Sequence, residues 1–445
     1  MMPLPPLLQP VQVAASIAAT GLLVLADPTS RAEDFQGSTH RLEYDSEPIL
    51  YSKSEPDDPV ARIQKQLRQD RSKAWLPYDP QFGYLPAVLD LLGVSKTSQM
   101  LVFSKTSLQR HDIHPHNPRA LYFSDNVYVG FVPGAPVLEI AAVDPQLGAV
   151  FYTVHQDKDE PVRFRRDLDC LSCHGAARSM GVPGFVLRSL ETEANGEPIS
   201  GTETESVTHC TPIAQRWGGW YVTETPPDWS HRGNRPGGAS GSAEEIQSQR
   251  VDFRHYPGTG SKVLPLLVHD HQTHMHNYFT RVAMEARQTF AMYGHLRYLR
   301  HQEDALLRYL LFAEEAPLPA PIAPDPEFIA AFQKEARRDR LGRSLRDFDL
   351  QTRLFKYPCS FLIESEAFQK LPPILKDQLL RKLWEILTAQ NPNPVFASIA
   401  PEARQATLEI LRDTLPDLPD YWKANTSASL PPKPVAEPAK TSITP

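Results

Sequence analysis

Five short apolar segments crowd into the stretch from Gln99 to Val154: Gln99–Ser104, Arg119–Ser124, Val127–Val132, Val137–Ala142 and Ala149–Val154. Each is rich in β-branched or aromatic residues. Asp125-Asn126, Gly134-Ala135-Pro136 and Pro145-Gln146-Leu147-Gly148 supply turns between them. Strands of this length at this spacing form an antiparallel β meander. Helical patterns flank it on both sides, so the predicted class is α+β.

The next feature follows the meander at once. Residues 169–175 read Asp-Cys-Leu-Ser-Cys-His-Gly, which contains C-x-x-C-H, the attachment pattern of a c-type haem. The spacing suits the chemistry. Two thiols add to the two vinyl groups of one haem, and the next residue puts an imidazole beneath the iron. Cys170, Cys173 and His174 are therefore the predicted haem c ligands, with His174 on the metal. A zinc finger would want a second ligand pair at finger-like spacing, and no second C-x-x-C exists. A redox dithiol would need a βαβ context, which the pattern lacks. Coming straight after the meander, the haem is expected to pack against that sheet.

The chain begins in a way that fits this. Residues 1–32 read as a secretory signal, with an apolar run from Val13 to Ala26 that is too short for a membrane span. No Lys or Arg precedes that run, where a signal is usually basic. Bacterial haem attachment takes place outside the cytoplasm, so a periplasmic or secreted location is expected, with no transmembrane span after cleavage. Two further cysteines, Cys210 and Cys359, are left as a possible disulfide or as two free thiols. The formal charge of −7 argues against nucleic acid. A redox partner protein or a small-molecule substrate is the expected partner. Prolines outnumber glycines, 43 to 22, which predicts irregular joints between compact pieces. Residues 33–75 read as loosely structured, with a helical piece from Pro59 to Trp75, and Tyr84–Leu92 as a short helix.

Downstream, Gly181-Val182-Pro183-Gly184 marks a tight turn, with Phe185–Arg188 as a strand. Arg216-Trp217-Gly218-Gly219-Trp220-Tyr221-Val222 places two glycines between two tryptophans. This can be a haem-edge wall of Trp217 and Trp220, with Arg216 or Arg188 facing a propionate. It can equally be a core strand with a glycine bulge. From Lys262 to Glu314 the pattern is one long helix, broken near Gly294, with Ser261 as N-cap. Its apolar stripe runs through Leu264, Val268, His271, Met275, Tyr278, Val282, Ala286, Phe290 and Tyr293. His269, His271, His274 and His276 all fall within eight residues. His271 or Met275 is the candidate sixth iron ligand, with Met180, His209 and His231 as competitors. In a haem enzyme, His271 or His276 would serve as distal acid or base. A second metal on His209, His231, His271 and His276 is a further possibility. Residues 326–423 read as a helical C-terminal region, and 424–445 as a disordered tail.

The succession C-x-x-C-H, G-V-P-G, R-W-G-G-W-Y-V-T and H-Q-T-H-M-H-N resembles a family of secreted bacterial proteins built around a single c-type haem motif. The resemblance spans most of residues 80–423, including Leu101–Gln109 and Arg353–Ser360. It implies haem attachment at Cys170 and Cys173 and ligation by His174. It also implies that the segments around His209, His231, His271, Met275 and His276 form one site. Thr208 stands where the family pattern has an acidic residue before His209, and the segment after Trp229 is longer. The functions these features support are single-electron transfer or a haem oxidoreductase. A haem-based sensor or binding module is the alternative.

Overall fold

The computed structural model describes residues 42–204, 206–238, 251–391 and 393–423. The predicted signal and tail, and part of the connector after Trp229, lie outside the described residues.

The meander forms as the pattern predicts. Strands β1 (Met100–Val102), β2 (Arg119–Phe123), β3 (Val127–Phe131), β4 (Val137–Asp144) and β5 (Gly148–His155) pair antiparallel with their neighbours. Two short strands complete a seven-stranded sheet: β6 (Arg165–Arg166) beside β5, and β7 (Trp220–Tyr221) beside β1. Phe185–Arg188 is not a strand. It is irregular chain outside the sheet, followed by the isolated bridge Ser189–Thr204.

Both faces of the sheet are used. On one, Ala120, Tyr122, Val129, Ile140, Val150 and Tyr152 pack against the N-terminal residues. Helices α1 (Pro59–Gln69) and α2 (Leu85–Leu91) lie there. Residues 42–58, expected to be loose, are part of this layer. Leu42, Tyr44, Ile49 and Tyr51 are buried, and Tyr51 Oη donates to the Ala149 carbonyl at 2.8 Å. Buried Asp58 caps α1 and accepts from Tyr152 Oη. Scattered single anchors of this kind hold a segment without helix or strand periodicity, so pattern reading misses them.

The opposite face carries helix α3 (Leu171–His174) and the long helix α4 (Val263–Tyr293). α4 ends at left-handed Gly294, where the break was expected. Ser261 does not cap it. Its hydroxyl donates to the Tyr221 carbonyl and accepts from Leu101 N, tying the helix entry to the sheet edge. From Val263 to Ala286 α4 is buried nearly all round, and the predicted stripe fails only at its end, where Phe290 and Tyr293 are exposed.

The remaining helices are α5 (Arg300–Leu310), α6 (Pro326–Gln333), α7 (Glu366–Gln369), α8 (Pro373–Leu387), α9 (Pro401–Thr414) and α10 (Asp420–Lys423). They enclose α4. Leu306, Phe361, Leu379 and Trp384 share one core with Val268, Met275 and Val282. The C-terminal helical region is thus continuous with the sheet domain. Among the described residues, no helix is long and apolar enough to cross a membrane.

Candidate haem attachment site

α3 is a single turn. His174 N bonds the Cys170 carbonyl at 2.9 Å and Gly175 N bonds that of Leu171 at 3.0 Å. At about 100° per residue, Cys170, Cys173 and His174 share one side of this turn. Leu171, Ser172 and Gly175 turn the other way, into an open cleft of 630 Å³ bounded by Tyr44, Ser52, Leu108 and Leu168. The cleft therefore lies behind the cysteines. All four cysteines of the chain are free thiols, Cys173 exposed and Cys170 half-buried. Burial pushes the Cys170 thiol up to about 12, with the Asp167 carboxylate adding to the effect. It is a protonated thiol at neutral pH, unlike the low-pKa nucleophile of a thiol–disulfide enzyme.

The His174 ring is held by the backbone of the turn that follows it. Its Nδ1 lies 2.9 Å from the Gly184 carbonyl oxygen, so Nδ1–H donates there and Nε2 keeps its lone pair. Loss of hydration lowers the imidazole pKa and keeps the ring neutral. The ring rests on Phe151 of β5, with centroids 4.7 Å apart. The G-V-P-G turn holds the acceptor in place. Gly184 N bonds the His174 carbonyl at 2.9 Å, and Ser179 Oγ donates to the same oxygen at 3.0 Å.

The long helix fixes that turn. Asn277 accepts from Phe185 N and donates to Phe185 O, each at 2.7 Å. Residue 184 must be glycine, because a Cβ there would overlap Asn277 Oδ1. Arg281 Nη1 donates to the Met180 carbonyl at 2.9 Å. Sequence reading missed the roles of Gly184, Phe151 and Asn277. Asn277 closes the H-Q-T-H-M-H-N run, so the signal was present, but the histidines drew attention from it.

The helix histidines go elsewhere. His271 is fully buried and uses both ring nitrogens: Nδ1 is 2.7 Å from His209 Nδ1, and Nε2 is 2.7 Å from Ser360 Oγ. His209 stacks on Tyr309 at 3.9 Å and on Phe312 at 4.7 Å. Arg216 is also buried, giving Nη2 to the His209 carbonyl and Nη1 to Asp270 Oδ2. Trp217, in a left-handed backbone conformation, donates its indole N–H to the same carboxylate oxygen. Burial raises Asp270 to about 6 although Arg216 faces it.

His269 sits among Phe123, Tyr128 and Trp220. His276 Nε2 bonds the Asp125 carbonyl at 2.8 Å, and its ring lies 5.9 Å from Phe185. His231 Nδ1 accepts from Gly233 N, and Met275 is fully buried in the core. Hydrogen bonds and ring contacts thus carry His209 and His271 toward the C-terminal helices. Within the histidine group, His276 lies against Phe185, the residue that follows the turn holding His174. Among the described residues, no three His, Cys, Asp or Glu side chains gather as a metal site.

The tryptophan segment resolves toward the core-strand alternative. A Cβ at Gly218 would strike the Leu190 backbone, and one at Gly219 would meet Ser104 Cβ at 2.8 Å. The glycines admit neighbouring chain. Trp220 donates its indole N–H to the Arg188 carbonyl at 2.8 Å. Arg188 pairs with Glu203, and Arg216 with Asp270, so both guanidiniums already have carboxylate partners.

No family model, curated protein or solved structure matches this chain.

Proposed function

We propose that this chain is an exported c-type monohaem redox protein whose work is electron transfer. The observation that carries the reading is the His174 imidazole, held by the Gly184 carbonyl with Nε2 left as a donor, one residue after C-x-x-C. The residues present fit the group. Cys170 and Cys173 would hold the haem covalently, and His174 Nε2 would ligate the iron. Bound there, the haem supplies a one-electron ferric/ferrous couple.

The protein's own part is to set that couple and shield it. The Nδ1–H donated to Gly184 O enriches the ligand nitrogen, which favours the ferric state. Asn277 keeps the carbonyl at its station. Phe151 presents an apolar ring to the imidazole and excludes water from it. Transfer is favoured over catalysis because His271 and His276, the acid–base candidates, lie in packed core and are held neutral. A potentiometric titration of the periplasmically matured protein tests this. One reversible one-electron wave per chain is expected, and the lack of such a wave refutes it.

A further inference from the structure

The sheet face that carries α3 and α4 is only partly covered. α4 and its neighbours bury Phe123, Tyr128, Val143 and Ala149 at one end. At the other end the cover given by the described residues is thinner. Along β4 the residues alternate, with Val137, Glu139 and Ala141 half-buried and Leu138, Ile140 and Ala142 buried. Along β2, Arg119 and Leu121 are half-buried in the same way. The register brings these positions together: Leu121 pairs with Gly130, Gly130 with Glu139, and Ala141 with Phe151. The result is an apolar floor on which Leu121 and Ala141 stay half-buried, with Gly130 buried beneath the Arg119 guanidinium.

This floor borders the attachment helix. Phe151, the partner of Ala141, is the residue on which His174 rests. The charges of Arg119 and Glu139 act on both the Cys170 thiol and the His174 imidazole. Arg119 Nη2 pairs with Glu139 Oε2 at 2.6 Å, and Ser107 Oγ donates to Glu139 Oε1 at 2.8 Å. The Arg119 guanidinium lies over Gly130, where any Cβ would meet it. Its Nε is buried and has no hydrogen-bond partner. A guanidinium carries five donors, so Arg119 can keep Glu139 and still receive a second carboxylate.

Resting on the reading of the chain as a c-type haem protein, we propose that the haem seats on this floor, over Leu121 and Ala141, with Arg119 as the partner of a propionate. The geometry agrees with the covalent anchors. His174 rests on Phe151 of β5, and Cys170 and Cys173, which would carry the thioethers, share its side of the turn. The Arg119 guanidinium lies over Gly130 of β3, two strands from β5, about 10 Å. Arg216, buried, already gives Nε, Nη1 and Nη2 to Thr211 O, Asp270 and His209 O, and Arg188 holds Glu203 through both Nε and Nη2, whereas Arg119 meets Glu139 through Nη2.

The test uses matured, haem-loaded protein: wild type, Arg119→Gln, Arg119→Lys, Arg188→Gln and Ala141→Asp. Intact mass gives haem per chain, and potentiometry gives the midpoint potential against pH. Removing a cation beside the iron favours the more positive ferric state, so Arg119→Gln shifts the midpoint negative. It also makes the potential vary with pH near neutrality, as the unpaired propionate titrates there. Arg119→Lys restores part of both effects, and Arg188→Gln matches wild type. Ala141→Asp, at a half-exposed position that tolerates the change, puts a carboxylate under the ring and also shifts the midpoint negative. Wild-type potentials and pH profiles in both Arg119→Gln and Ala141→Asp overturn the seat while leaving the haem reading intact. A wild-type chain without covalent haem overturns that reading itself.

Discussion

Acid should unfold this protein earlier than it unfolds most, and the buried histidines set the window. Burial holds His231 and His276 down to about 4 and His269 and His274 to about 3, against an ordinary value of 6.5. Their folded pKa lies below the unfolded one. As pH falls through 6.5 the unfolded chain takes up protons first, and stability drains until the folded values are reached. Between pH 8 and pH 5 each histidine costs about 2 kcal/mol, or about 8 kcal/mol for the four. His209 and His271, lowered well below the ordinary value by burial, push the same way. Two buried carboxyls oppose them. Asp270, raised to about 6, and Glu364, raised to about 7, bind protons first in the folded state. Over the same interval they return about 4 kcal/mol. The net loss is about 4 kcal/mol or more, a large share of a typical total of about 5–15 kcal/mol. Urea denaturation of the matured protein, followed by tryptophan fluorescence at pH 8, 6.5 and 5, reads this directly. The urea midpoint should hold steady above neutrality and fall steeply below pH 6.5. A midpoint unchanged down to pH 5 would refute the reasoning.

Other substitutions separate structural from redox roles. His271→Ala strips partners from His209 and Ser360 and opens a cavity, costing about 2–4 kcal/mol in urea denaturation. The same variant should keep the wild-type midpoint potential, and a large shift would place His271 at the iron after all. Asn277→Ala frees the Gly184–Phe185 segment, weakens the Nδ1–H bond of His174 and raises the midpoint potential; an unchanged potential would deny Asn277 that positioning role. Leu383→Ala, at a fully packed site of α8, should cost about 2–5 kcal/mol with the haem spectrum unchanged. A loss under about 1 kcal/mol would show that the C-terminal helices do not share the main core.

Much of the fold was legible because it rests on local pattern. The five strands of the meander, the end of α4 at Gly294, and helices α8 and α9 follow from alternation, turn residues and helical period. The misses have physical causes of another kind. Tyr44 and Tyr51 are single anchors in an irregular segment, invisible to periodicity. Ser261 looked like a cap, yet its hydroxyl serves the distant Tyr221 carbonyl. The histidine run looked like a ligand set because sequence proximity stands in poorly for convergence. One turn of helix sends His271 to Ser360 and its neighbours to the sheet. Gly218 and Gly219 make room for chain, a choice that only the tertiary neighbours Leu190 and Ser104 decide. Cys170, Cys173 and His174 were singled out by spacing, and the fold sets them on one side of a single turn. The Gly184 carbonyl that orients His174 is ten residues on, in a turn whose role no local pattern states.

The most direct test of the central claim is the reduced pyridine haemochrome spectrum of the periplasmically matured protein, taken after acid–acetone extraction. The account predicts a c-type spectrum that stays with the polypeptide, one haem per chain, and its loss from the stable protein in a Cys170→Ala, Cys173→Ala double variant. A chain that matures folded without covalent haem would contradict the account and return these residues to thiol or zinc chemistry.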